Sequence, residues 1–105
     1  MNTIERIGID STPTTPQLRP NADVIAQKLG DAVVLLHLGT NQFYELNRTA
    51  SRFWELLSAG YDMAQVQEQM LQEFDVDAAQ LAIEIAGLIA TLKEKDLLRA
   101  YSAPI

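Results

Sequence analysis

Cysteine is absent from the 105 residues, histidine occurs once, and aromatic residues make up only 7%. Without cysteine there can be no disulfide, iron–sulfur cluster, thiolate zinc site or thiol nucleophile. A metal site would need carboxylates gathered around His37 alone, and His37 lies inside an apolar run, where a lone histidine is usually structural. Positive charge is scarce as well. Eight Lys and Arg against fourteen Asp and Glu give a formal net charge of −6, which opposes a nucleic-acid partner, because such binding draws on Lys and Arg that displace counterions from phosphates. Arg19, Lys28, Arg48, Arg52, Lys93, Lys95 and Arg99 are scattered, although folding could still gather some into a small patch. No apolar run approaches the roughly 20 residues of a membrane span. The first residues, MNTIERIGIDSTPTTP, carry charge where a signal peptide needs an apolar stretch. The expectation is a cytoplasmic protein with no membrane partner.

Catalytic machinery is missing too. Gly39, Gly60 and Gly87 stand alone, with no glycine-rich phosphate loop around them. Asp75 and Asp77 after Glu73 look like the start of a calcium loop but lack its glycine and distal glutamate, so Asp77 reads better as a helix cap. No nucleophile–base pair stands out, and neither an enzyme nor a cofactor is expected.

What is present is a globular balance of 48% hydrophobic and 21% charged residues, enough for one modest core. Residues 1–21, rich in Pro and Thr, read as a flexible tail whose removal should leave stability nearly unchanged. Residues 22–99 form the folded domain, and 100–105 a second tail. Val24-Ile25-Ala26 leads to a turn at Gly30-Asp31, then the apolar run Ala32 to Leu38, a second turn at Gly39-Thr40-Asn41, and Gln42-Phe43-Tyr44-Glu45-Leu46. These spacings predict a three-stranded antiparallel meander. Asn47 caps a first helix over 48–59 that Gly60 ends in a left-handed conformation, Asp62 caps a second over 63–74, and Asp77 a third running to Lys95. Leu97-Leu98 should fold back on the core. The fold class is α+β and winged-helix-like, three antiparallel strands followed by three helices.

The third helix and the third strand are the two odd elements. Leu81, Ile85, Leu88 and Leu92 make one apolar stripe on the helix, and Ile83, Ala86 and Ala90 a second. Two apolar faces imply either burial from two sides or a groove awaiting a partner. The third strand has no obvious neighbour on its outer edge, and a free edge must be protected or used. Adding a partner strand is one use. Tyr44 and Leu46 should point inward, Phe43 and Glu45 outward. Trp54 beside Leu56 and Leu57 reads as core.

The run Val33 to Leu38, then Phe43-Tyr44-Glu45-Leu46-Asn47, Thr49-Ala50 and Phe53-Trp54-Glu55-Leu56-Leu57, resembles the PqqD-like family. The resemblance extends from about 24 to 98 through Gly60, Phe74-Asp75-Val76, Glu84, Leu92 and Leu97-Leu98. Asp96 departs from it, since members commonly have glycine there. The resemblance implies a RiPP recognition element: a non-catalytic domain that captures the leader segment of a ribosomally made precursor peptide. In such domains the leader adds to the third strand beside the third helix, which implicates Gln42, Phe43, Tyr44, Glu45, Leu46, Leu81, Glu84, Leu88, Thr91 and Lys95. The implied partners are a precursor leader and a leader peptidase or other modifying enzyme. A chain of this length without a fused enzyme resembles the discrete recognition proteins of lasso-peptide biosynthesis, which we favour, and the PqqD chaperone that serves a radical enzyme in quinone-cofactor biosynthesis. A winged-helix DNA-binding protein shares the element types but should carry basic residues on its second helix, where this chain has Glu68 and Glu73 and no Lys or Arg. A subunit contributing structure alone is the third alternative.

Overall fold

The computed structural model describes residues 17–101. The elements run β1 (Gln17–Pro20), β2 (Val24–Leu29), β3 (Ala32–His37), β4 (Gln42–Leu46), α1 (Arg48–Ser58), α2 (Met63–Glu73), α3 (Ala78–Glu94) and β5 (Leu98–Tyr101). β2, β3 and β4 form the expected antiparallel meander in that order. Gly30 and Asn41 turn its two corners with positive φ, +63° and +62°, the conformation that Gly and Asn tolerate best.

Each helix starts on a side-chain cap. Asn47 Oδ1 accepts from Ala50 N at 2.9 Å, and Asp77 Oδ1 accepts from Gln80 N at 2.7 Å. Asp62 and Gln65 cap each other's backbone N–H groups reciprocally. Gly60, with φ +99°, closes the turn after α1 as the sequence predicts. The helices bury Ala50, Phe53, Leu56 and Leu57 of α1, Val66 and Met70 of α2, and Leu81, Ile85 and Leu92 of α3 against Val33, Leu35 and Leu46 of the sheet. Leu97 and Leu98 return to this core. Ser51 joins sheet and helix: its buried Oγ accepts from Val33 N at 2.9 Å and donates to Leu46 O at 3.0 Å.

Both expected tails are corrected where they meet. Gln17–Pro20, read from composition as tail, pair antiparallel with Leu98–Tyr101, in register from Gln17↔Tyr101 to Pro20↔Leu98, so Ala100 and Tyr101 of the second expected tail are strand as well. Leu18 rests on the core, β1 also lies against α1, and Asn21 is buried. A sequence with two prolines nearby still makes a strand because Pro20 stands at its end, where a missing N–H costs little. The remainder of both expected tails, 1–16 and 102–105, lies outside the described residues. Deleting residues 1–20 should therefore lower the melting temperature by more than about 5 °C, roughly 1 kcal/mol for a domain this size, and a thermal melt of the truncated chain checks it.

Candidate functional site

Main-chain direction along β4 decides which residues present a free edge. Leu38 N donates to Asp23 O at 2.8 Å. Successive residues of β3 bond alternately to either side, so His37, Leu35 and Val33 turn their main-chain groups towards β4. Their partners are Gln42, Tyr44 and Leu46. The N–H and C=O groups of Phe43 and Glu45 consequently face away from β3, and among the described residues β4 has no further strand neighbour. Side chains alternate in the other sense. Leu46 is buried and Tyr44 half-buried on the core face, while Phe43 is 68% exposed and Glu45 exposed on the outer face. The inward and outward assignments made from sequence agree with this.

The C-terminal end of α3 reaches β4 from the other side. Lys95 Nζ, at the C-cap of that helix, lies 5.6 Å from the centroid of the Tyr44 ring, which brings the end of α3 beside β4. Glu84, Leu88, Thr91 and Lys95 follow one another at four, three and four residues, so they share a flank of the helix. Glu84 accepts from Gln80 Nε2 at 3.0 Å. Glu84 and Thr91 are exposed and Leu88 is half-buried. Leu81 is corrected: it is 2% exposed inside the core, because it lies with Ile85 and Leu92 on the stripe that meets the sheet and the other helices. Leu88 is the member of that stripe left half-buried. The second apolar face is not buried: Ile83, Ala86 and Ala90 are exposed.

The cleft ends in a polar cluster that periodicity did not reveal. His37 is 4% exposed and Asn21 2%. Thr40 N donates to His37 Nδ1 at 3.2 Å, which assigns the ring hydrogen to Nε2, and Nε2 donates to Asp96 Oδ2 at 3.1 Å. Asn21 Nδ2 donates to Asp96 O at 2.8 Å and to Oδ2 at 3.1 Å. Arg99 donates to both Asp96 carboxylate oxygens at 3.1 Å. Arg99 first and His37 second hold the Asp96 carboxyl down to about 2. A Cβ at Gly39 would stand 3.0 Å from His37 Cε1, so glycine there leaves room for the ring. His37 was read as structural, and these contacts agree. Asn21 was missed because it sits where composition suggested tail.

Against this geometry stand the relatives. The family model of coenzyme PQQ synthesis protein D (PqqD) matches residues 32–98. The PqqA binding proteins of two Xanthomonas oryzae pv. oryzae strains, PXO99A and KACC10331 / KXO85, are each 31% identical over 84 residues, covering 80% of this chain and 89% of theirs. The chain belongs to the PqqD family. Among solved structures it resembles TbiB1 in complex with the TbiA(beta) leader peptide, with a TM-score of 0.76, 28% identity, and coverage of 81% of this chain and 99% of that one. Lasso peptide synthetase B1 complexed with the leader peptide shares the fold at a TM-score of 0.72 and 24% identity, over 79% of this chain and 98% of its own.

Membership of the PqqD family explains the sheet and helices but not residue 96. Asp96 adopts φ +59°, the left-handed backbone that favours glycine. Here the side-chain contacts just described accompany the less comfortable residue.

The possible basic patch resolves into balanced charge. Lys28, Arg48 and Arg52 surround a cavity of about 210 Å³ together with Asp31, Glu55 and Glu73. Arg52 holds Glu73 through two bonds of 2.7 and 2.8 Å, and that guanidinium, with Gln69 next, keeps the Glu73 carboxyl below the usual carboxylate range. Lys28 pairs with Glu55 at 3.0 Å, and Arg48 stands over Phe74. Cations already engaged by carboxylates have little left for a phosphate backbone. Among the described residues, no group of three or more His, Asp or Glu could hold a metal ion, and no helix is long and apolar enough to cross a membrane.

Proposed function

We propose that this chain is a non-catalytic peptide-recognition domain that captures the leader segment of a ribosomally made precursor by strand addition to β4. The observation that carries the reading is the free edge at Phe43 and Glu45, with Lys95 at the C-terminal end of α3 placed over the Tyr44 ring between them. Main-chain bonds to Phe43 and Glu45 would hold the leader, and the α3 flank would select its inward side chains. Holding the leader raises the effective concentration of the core peptide at a partner enzyme. Linkage of this kind is worth about 10²- to 10⁴-fold in apparent affinity without a new contact. In this reading the enzyme is a leader peptidase or other modifying enzyme in the cytoplasm, with the chemistry left to it. The likeness to TbiB1 favours the lasso-peptide type. The relatives named PqqA binding protein support the other variant, a chaperone serving quinone-cofactor biosynthesis.

Fluorescence anisotropy separates these readings. Labelled leader segments of precursors encoded beside the gene, with the TbiA(beta) leader and a PqqA peptide for comparison, should bind, whereas labelled duplex DNA should not at physiological salt. Micromolar DNA binding without any peptide binding would overturn the proposal.

A further inference from the structure

Asp96 sits where the end of α3, the end of β3 and the start of β5 meet. It follows directly on Lys95, whose ammonium stands over Tyr44. Its carboxylate and carbonyl are gripped by Asn21 from the β1–β2 corner, by His37 from the end of β3, and by Arg99 from β5. His37 is the register partner of Gln42, the first residue of β4, and its ring also receives the Thr40 N–H of the β3–β4 turn. Asn21 adds a main-chain bond, its N–H donating to Leu97 O at 3.0 Å, while its Oδ1 accepts from Asp23 N at 2.9 Å. One side chain therefore links the residue that follows the C-cap of α3 to the last residue of β3, whose register partner opens β4. The same residue keeps a left-handed backbone that glycine would adopt at lower cost. Two polar side chains that are almost completely buried, His37 and Asn21, donate to it, and such groups hold their neighbours in one arrangement.

We propose that Asp96 is a positioning residue: through His37 and Asn21 it fixes the C-terminal end of α3 against β4 and so sets the width of the cleft at its Lys95–Tyr44 end. The inference rests on reading that cleft as the peptide site, but its test contains no peptide, so the two can fail separately. The test compares the parent chain with Asp96→Gly, Asp96→Asn and Asn21→Ala by amide chemical shifts, hydrogen exchange and thermal melting. Asp96→Gly keeps the backbone conformation without strain and removes the carboxylate, whereas Asp96→Asn retains an acceptor oxygen. Expected for Asp96→Gly is a melting temperature close to the parent's, with amide shifts across the cleft at Phe43, Tyr44, Thr91 and Lys95. Exchange of the Leu97 amide should be faster by about tenfold or more. Asn21→Ala should reproduce that pattern from the other side of the cluster, and Asp96→Asn should restore most of it. Shifts confined to residues 21, 37 and 95–99, or a failure of Asp96→Asn to restore the cleft, would overturn the proposal. Unfolding of both disruptive variants would likewise overturn it, making the cluster a requirement for folding and not a positioning device.

Discussion

Replacing Glu45 with proline should reduce leader affinity by about 30-fold while the domain stays folded. The Glu45 N–H faces away from β3, so its removal leaves the β3–β4 ladder intact, and an outward N–H on an edge strand is where sheets tolerate proline. An added strand loses one main-chain bond, worth about 1 kcal/mol. The pyrrolidine ring also occupies the space a strand must enter to reach the usual spacing of about 4.8 Å, which disrupts the neighbouring bond. Together these amount to about 2 kcal/mol, or roughly 30-fold. Tyr44→Pro is the informative control. Its N–H turns towards Leu35, so that variant should lose stability as well as binding. Anisotropy with a labelled leader and a thermal melt on each variant check both expectations. If Glu45→Pro binds as the parent does, the leader is not held as a strand on β4.

Trp54→Ala should be the most damaging single truncation for folding. Trp54 is 4% exposed in the same helix as Phe53, Leu56 and Leu57, which are buried with it. Removing a core aromatic typically costs about 3 to 5 kcal/mol, a large part of the 5 to 15 kcal/mol available to an ordinary domain. A fall in melting temperature of about 15 °C or more is expected. A rival role exists, because Trp54 also lines an open cavity of about 360 Å³ with Ala26, Val33 and Ser58. A variant that melts like the parent yet loses the peptide would make Trp54 a binding residue.

Sequence patterns revealed the meander, the three helices and their caps because each rests on local chemistry. Asn47, Asp62 and Asp77 accept bonds from residues three positions on, and the two-residue period of β4 separates Tyr44 and Leu46 from Phe43 and Glu45. What stayed hidden is non-local. β1 pairs with β5 across some eighty residues, and composition alone gives no sign of such a partner. The Asn21–Asp96 bonds join positions equally remote. On α3, hydrophobic spacing identified a stripe but could not say which of its members a ligand could reach. Leu81 and Leu88 differ only in where the neighbouring elements stop covering the helix. The resemblance supplied the cleft, and the contact of Lys95 with Tyr44 brings the C-terminal end of α3 beside β4.

Because only Phe43 and Glu45 turn their main-chain groups outward, the free edge of β4 has a repeat of two residues. A strand laid along it would present every second side chain to the α3 flank and send the others the opposite way, towards the solvent side where Phe43 lies exposed. Recognition of that kind is read in alternate letters. Half of a leader's positions could vary with little effect on affinity, and precursors of quite different overall sequence could share one capture protein provided their alternate residues suit Leu88 and Lys95.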